Sequence, residues 1–146
     1  MSIVLDASMA LAWLIDRADQ AEAVVAQLAF DEVSASGAQV PALWYAEVAN
    51  TLLVFERARR LTEQDSTVYL SDIALMAITP DDVSPSSRQS RVLDLGRRHK
   101  LTAYDATYLE LAMRHAATLA TFDRKLAEAA RGAGVRVFGD AAQNDN

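Results

Sequence analysis

Short apolar runs, several rich in β-branched residues, alternate with longer helical segments along the chain. Short strands that alternate with helices predict a parallel sheet with helices covering both of its faces. The sequence therefore indicates an α/β fold with a central, mainly parallel sheet of about five short strands. The predicted strands are residues 3–5, 38–40, 76–79, 118–121 and 135–138.

Helices are predicted between the strands, and several have a recognisable start. Thr62 is a predicted N-cap, and Ser84 is a second, followed by Pro85 at the first helical position. Pro41 suits the first turn of another helix. The predicted helices are residues 8–15, 18–30, 41–59, 62–75, 84–99, 105–116 and 124–131.

A length of 146 residues favours one domain. We assign residues 1–139 to that domain and expect the polar residues 140–146 to form a disordered tail. No apolar run reaches the roughly 18 residues that a membrane span needs. The apolar start, residues 3–15, contains Asp6 and has no basic stretch before it, which argues against a signal peptide. We therefore expect a soluble, cytoplasmic protein that does not contact membranes.

The composition excludes several kinds of chemistry. The absence of cysteine rules out disulfides, thiolate zinc sites and cysteine nucleophiles, and the chain has only two histidines. A bound metal must therefore be held by oxygen, which favours Mg²⁺ or Mn²⁺. The net charge of −6 argues against broad, charge-driven binding to duplexes, but it leaves room for a local arginine patch. The candidate patches are Arg57, Arg59 and Arg60, and then Arg97, Arg98 and Lys100, although solvated helix ends, where cations favour the dipole, are the preferred explanation of each cluster.

Four acidic residues stand in otherwise apolar or helix-opening segments: Asp6, Glu47, Asp105 and Asp123. A buried carboxylate is costly unless something pairs with it. A divalent cation would satisfy all four acids at once, and such cations support phosphodiester chemistry. Asp6 ends the first predicted strand and Asp123 follows the fourth, so both fall at the sheet edge where α/β folds bind ligands.

Each acid also has a structural interpretation. Asp6 and Asp123 could cap the helices that follow them, and Asp105 could simply favour a helix dipole. Glu47 is harder to explain, because it lies within a helix on a face with Leu43, Asn50 and Val54. Its remaining structural interpretation is a buried glutamate paired with an arginine.

The segments that carry these acids resemble the PIN-domain ribonucleases, in particular VapC-type toxins of bacterial toxin–antitoxin pairs. The resemblance covers nearly the whole chain. Each matching segment is weak alone, but all four occur in the order of the family. They are VLDAS at 4–8, PALWYAEVAN at 41–50, LTAYDATYL at 101–109 and LATFDRKL at 119–126.

The resemblance implies an α/β/α sandwich and an endoribonuclease dependent on Mg²⁺ or Mn²⁺, with one or two ions. It makes Asp6, Glu47, Asp105 and Asp123 the acidic, metal-binding and catalytic residues. Ser8 and Thr121 resemble hydroxyl residues that orient a carboxylate or a water near such a site, and Asn50 is a further candidate for that role. The implied partners are an RNA substrate, a small cognate antitoxin and a second copy of the chain, with higher-order assembly on the antitoxin.

Two other functions stay open. A phosphatase or phosphotransferase can also begin with an aspartate at a strand end, but such enzymes usually need a second aspartate two residues later, where this chain has Ser8. They also need a lysine near the site, and only Lys100 and Lys125 are available. A catalytically inert PIN-like scaffold that binds a protein partner is the alternative from another class. The RNA target and its cleavage sequence are not indicated.

Overall fold

A four-stranded parallel sheet forms the centre of the protein in the computed structural model, which describes residues 1–141. The strands lie in the order β3-β2-β1-β4, and every pairing is parallel, which confirms the predicted α/β class. The strands are β1 (Ile3–Leu5), β2 (Ala38–Val40), β3 (Ile78–Pro80) and β4 (Thr118–Ala120). The helices found in the described residues are α1 (Ala7–Leu11), α2 (Gln20–Ser36), α3 (Leu43–Arg57), α4 (Glu63–Ile73), α5 (Pro85–His99), α6 (Ala103–Arg114) and α7 (Arg124–Gly132).

Strand β1 lies in the middle of the sheet and is fully buried. Val4 is opposite Gln39 of β2 on one side and Leu119 of β4 on the other. The backbone N–H of Asp6 donates to the Ala120 carbonyl at 3.0 Å, so the pairing continues one residue past the strand. Asp6 therefore stands at the centre of the carboxyl edge of the sheet.

The predicted fifth strand, residues 135–138, is wrong. This segment meets β4 through one isolated parallel bridge between Leu119 and Val137, with hydrogen bonds of 2.8 and 2.9 Å on either side. The chain turns at residues 138–139, where the Asp140 backbone donates to the Val137 carbonyl at 3.2 Å, so the pairing with β4 does not continue. The sheet accordingly has four strands in the described residues.

Helix α2 is longer than predicted, and α1 is shorter. Asp19 caps α2 by accepting a hydrogen bond from the Glu22 backbone, and the helix continues past residue 30 to Gly37. Gly37 has a φ of +76°, and a Cβ there would lie 2.5 Å from the Ala77 carbonyl oxygen. Only glycine allows the chain to turn this closely against the start of the next strand.

The two predicted helix caps have different outcomes. The Thr62 hydroxyl accepts from the Asp65 backbone at 3.0 Å, and the Asp65 carboxylate accepts from the Thr62 backbone at 2.9 Å. This reciprocal pair confirms Thr62 as a cap. The Ser84 side chain makes no capping bond and instead pairs with the Ser86 hydroxyl, while Pro85 occupies the first turn as predicted.

The end of the described chain is tied to α7. Asp140, the first residue of the predicted tail, accepts hydrogen bonds from Arg131 at 2.7 and 2.8 Å. Residues 142–146 lie outside the described residues, so the predicted disorder of the tail stays a prediction. Among residues 1–141, no helix is both long enough and apolar enough to cross a membrane.

Candidate active site

The four predicted acids gather at the carboxyl edge of the sheet, and we call them the acidic site. Asp6 and Asp123 follow β1 and β4, and Glu47 and Asp105 lie near the starts of α3 and α6. Their charges act on one another: Asp123 and Asp6 raise the pKa of Asp105, and Asp6 and Asp105 raise that of Glu47. Burial is the largest cause of each rise. The fold therefore concentrates negative charge at one place.

Asp6 is held by two hydroxyl groups. Its side chain is only 7% exposed, and its Oδ2 accepts hydrogen bonds from Ser8 and Thr121, each at 2.6 Å. Although Asp6 precedes α1, its side chain makes no capping bond. Burial raises the pKa of Asp6, the two hydroxyls lower it, and the charge of Asp123 raises it further. The helix-capping interpretation therefore does not describe this side chain.

Each of the two hydroxyl oxygens also accepts a hydrogen bond from a backbone N–H group. Phe122 donates its backbone N–H to the Ser8 oxygen at 3.0 Å, and Asp123 donates to the Thr121 oxygen at 3.0 Å. Because each hydroxyl accepts on one side, its proton is free to point at Asp6. The loop after β4 thereby orients the Asp6 carboxylate through two side chains.

Glu47 is half-buried and has a tyrosine as its partner. The Tyr108 hydroxyl of α6 donates to Glu47 Oε1 at 2.5 Å. Burial raises the pKa of Glu47, the bond from Tyr108 lowers it, and the nearby acids raise it. Within the described residues Glu47 forms no salt bridge, so the predicted alternative of an arginine partner is wrong.

The helix face expected around Glu47 is only partly buried. Asn50 is exposed and Val54 is 50% exposed, whereas Leu43 packs against the core. Within residues 1–141, Asn50 makes no hydrogen bond to the acidic site. No contact in the described residues supports the predicted role of Asn50 in orienting a carboxylate or a water.

Asp105 and Asp123 occupy two different helix positions. Thr102 caps α6, so Asp105 lies in the first turn with its carboxylate uncommitted to the cap. Burial, then the charges of Asp123 and Asp6, raise the pKa of Asp105 to about 6, and Lys125 opposes the rise. Asp123 is itself a cap, because its Oδ1 accepts from the Leu126 backbone at 2.9 Å. Its capping role and a role for Oδ2 at the site are compatible.

Tyr108 was not predicted from the sequence. It is fully buried, and the hydrogen bond that it makes to Glu47 spans 61 positions of the chain. Ala106 and Leu109 beside it are buried core residues of α6, so its local pattern indicates only a buried helix face. The Tyr108 hydroxyl reaches the acidic site through tertiary packing, which the local sequence does not reveal.

Hard divalent cations suit the donors of the acidic site, which are all oxygen atoms. Within residues 1–141, no three acidic or histidine side chains are grouped tightly enough to enclose an ion by themselves. An ion that keeps several of its waters, as Mg²⁺ usually does, tolerates such a loose set. Burial first, and then the neighbouring acids, raise the pKa of Asp6, Glu47 and Asp105, and a bound cation would oppose both effects. The residues present therefore fit a hydrated divalent cation.

The charge of Lys125 acts on Asp105 without forming a salt bridge in the described residues, and Arg17 contacts Phe122, the residue before Asp123. Arg17 lies over the Phe122 ring, with its carbon Cζ 4.5 Å from the ring centroid, and its Nε donates to Glu22 at 2.7 Å. The predicted arginine patches lie at the ends of α3 and α5, where Arg98 pairs with Asp94 on the helix surface. This placement supports the interpretation of those clusters as solvated helix ends.

The chain belongs to the PIN domain family, whose model matches residues 3–132. This match confirms the family that the four sequence segments indicate. PIN domains are generally nucleases, and they typically use divalent metal ions. No protein with curated annotation is significantly similar in sequence.

Solved structures with the same fold come from distant relatives. PAE2754 from Pyrobaculum aerophilum is 21% identical, with a TM-score of 0.66, and the match covers 88% of this chain and 87% of that one. FitAcB from Neisseria gonorrhoeae is 18% identical, with a TM-score of 0.62 over 94% and 96% of the two chains. At this level of identity, the likeness establishes the fold alone.

Proposed function

We propose that this protein is a metal-dependent endoribonuclease toxin of the VapC type that hydrolyses RNA phosphodiester bonds. The observation that carries the proposal is the acidic site itself. Three of its carboxyl groups have pKa values raised by burial and by one another, and none of the four acids pairs with an arginine or lysine in the described residues. A chain that only needed stability would gain by replacing such residues.

The four acids divide into two groups in the proposed mechanism. Asp6 and Asp105 are our first choice as direct metal ligands, and Glu47 and Asp123 complete the site directly or through water. When bound, Mg²⁺ or Mn²⁺ would lower the pKa of a coordinated water and stabilise negative charge on the leaving oxygen. Ser8 and Thr121 hold the Asp6 carboxylate in one orientation. Because these two hydrogen bonds come from the protein itself, the carboxylate need not reorganise when RNA binds.

A cleavage assay with purified protein tests this proposal. RNA is incubated with Mg²⁺ or Mn²⁺, and a parallel sample contains a chelator. We expect cleavage only with metal, and we expect Asp6→Asn to abolish it, because the substitution removes ligand charge and hardly any volume. Asp72→Asn is the matched control, since Asp72 is exposed on α4, and it should cleave like the wild type. Full activity of Asp6→Asn would contradict the assignment, and inactivity of the wild type on all RNA would favour the inert scaffold.

Protein partners are proposed on the apolar surface of α3 and α4. Large apolar side chains are exposed there, including Val54 at 50% and Leu70 at 44%. A groove of about 280 Å³ runs between the helices and is lined by Trp44, Val48, Leu70 and Ile73. The indole N–H of Trp44 is buried and has no hydrogen-bond partner in the described residues. A second copy of the chain and a small cognate antitoxin are the proposed occupants of this surface.

Light scattering and co-purification test the partners. The wild type should form a dimer, and it should co-purify with the product of a short adjacent reading frame that inhibits cleavage. Leu70→Glu places a charge on the rim of the groove and should weaken at least one of these associations. A wild type that stays monomeric and binds no such product would contradict the proposed partners. That result would not bear on the proposed nuclease activity.

A further inference from the structure

We propose that Tyr108 is a positioning residue that holds Glu47 ready for the metal ion, an inference that rests on the proposed function. Its hydroxyl donates to Glu47 Oε1 at 2.5 Å, so one oxygen of this carboxylate is committed to the protein. The other oxygen, Oε2, is left to serve the ion or its water. Glu47 then acts through a single oxygen whose direction is set before the ion arrives.

The charge around Glu47 explains why it needs such a partner. Asp6 and Asp105 lie close enough to repel it, and no salt bridge to Glu47 exists among the described residues. The side chain is only half-buried, so solvent offers an easy escape from this repulsion. Without a fixed donor, we expect the carboxylate to turn outward in the metal-free protein.

Tyr108 is well suited to resist that movement. Its side chain has 0% exposure, and a tyrosine ring has only two side-chain torsions to fix. A tyrosine hydroxyl is protonated near neutral pH, so Tyr108 acts as the donor to Glu47 Oε1. It ties α3 to α6, the two helices that carry Glu47 and Asp105.

Tyr69 provides a matched control within the same chain. It is also buried, at 6% exposure, and its hydroxyl also donates at 2.5 Å. Its acceptor is the backbone carbonyl of Ala10 rather than a carboxylate of the acidic site. Tyr69→Phe and Tyr108→Phe thus remove the same group and one hydrogen bond each, but only the second is expected to loosen Glu47.

Titration calorimetry with Mn²⁺ measures the effect without any assay of cleavage. We expect Tyr108→Phe to weaken Mn²⁺ binding by about 10- to 100-fold, the range typical for loss of a group that orients a metal ligand. Tyr69→Phe should bind like the wild type. Equal Mn²⁺ affinities of Tyr108→Phe and the wild type would overturn the inference, as would equal weakening by both substitutions.

A double-mutant cycle tests whether Tyr108 acts through Glu47. If it does, Tyr108→Phe should weaken binding far less in a Glu47→Gln protein than in the wild type. An undiminished effect in that background would overturn the inference. Glu47→Asp is a second variant, because it keeps the charge but retracts it from the hydroxyl, and unchanged Mn²⁺ affinity in this variant would also count against the inference.

The failure of the proposed function has a different signature. A wild type that binds no Mn²⁺ overturns the metal site and, with it, the role of Tyr108. A wild type that binds Mn²⁺ while Tyr108→Phe binds equally well leaves the site standing and removes only the positioning role.

Discussion

Helix α6 carries acidic residues in two contrasting environments. Near its start, Asp105 belongs to the acidic site, where burial and like charges raise its pKa to about 6. Further along, Glu110 is 4% exposed and accepts from Arg114 at 2.9 Å through both oxygens, with Arg88 at 3.4 Å. Arg114 also donates to Asp81, chiefly through a 2.6 Å bond that lowers the pKa of that carboxyl.

We call Asp81, Arg88, Glu110 and Arg114 the arginine cluster. In this cluster, arginines of the same chain form salt bridges with the acidic residues, as expected for acids with a structural role. In the described residues no arginine or lysine forms a salt bridge with the acidic site, where Lys125 only opposes the rise in the pKa of Asp105. This is consistent with a cation partner from solution, as the proposed function requires. The comparison supports a metal-binding role for one group of acids and a structural role for the other, and the following predictions test it.

The largest effect on stability is expected at the arginine cluster. Arg114→Ala removes the main partner of Glu110 and leaves this buried carboxylate with only the longer contact to Arg88, which should lower the free energy of unfolding by about 3–5 kcal/mol. Urea denaturation measures this loss. Arg98→Ala is the control, because its exposed pair with Asp94 should contribute less than about 1 kcal/mol. Similar small losses in both variants would contradict the structural role of the cluster.

Bound metal should stabilise the protein through the acidic site. A ligand at 100 times its dissociation constant stabilises the folded state by about 2.7 kcal/mol. Adding Mn²⁺ should therefore raise the melting temperature of the wild type, and it should do so less in Glu47→Gln. Glu128→Gln, which changes an exposed glutamate of α7, should respond like the wild type. If Mn²⁺ raised the melting temperature of all three proteins equally, Glu47 would not be part of the metal site.

Neutralising an acid should have opposite consequences with and without metal. In chelator near neutral pH, Asp105→Asn removes a repelling charge and should raise the free energy of unfolding by up to about 1 kcal/mol, a small gain because the side chain is partly solvated. The same variant should lose stabilisation by Mn²⁺. Thermal melting with and without the ion measures both effects. Destabilisation by Asp105→Asn in chelator would indicate a structural role instead.

The gain from Asp105→Asn should also depend on pH. The pKa of Asp105 rises on folding from 3.8 to about 6, so the folded state binds the proton more tightly than the unfolded state does. The stability contributed by this proton is complete below about pH 4 and is lost as the pH rises through about 6. The difference in stability between Asp105→Asn and the metal-free wild type should therefore be smallest at low pH and level off above that range. A difference that shrinks as pH rises would contradict the shift.

Sequence patterns predicted the parts of this molecule that depend on local chemistry. β1 and β2 fall at the predicted residues, since each is a short buried run bounded by residues that end a strand. The reciprocal cap at Thr62 was also predictable, because its partner is three residues away. The four acidic residues were also predictable, because each is a charged residue in an otherwise apolar or helix-opening segment.

Features that depend on distant contacts could not be predicted in this way. Residues 135–138 have the composition of a strand, but the chain turns at residues 138–139 and leaves a single bridge between Val137 and Leu119. Tyr108 meets Glu47 only after α3 and α6 pack over the sheet. Part of the arginine cluster carried a local signal, since Glu110 and Arg114 have the spacing of a helical ion pair. Its contact to Asp81 did not.

The most direct test of the contrast is anomalous diffraction from crystals grown with Mn²⁺. The proposed function predicts an anomalous peak at the acidic site, bounded by the carboxylates of Asp6 and Asp105, and no peak at the arginine cluster. Absence of a peak at the acidic site in crystals that hold Mn²⁺ elsewhere would contradict the central claim that these unpaired acids bind a divalent cation.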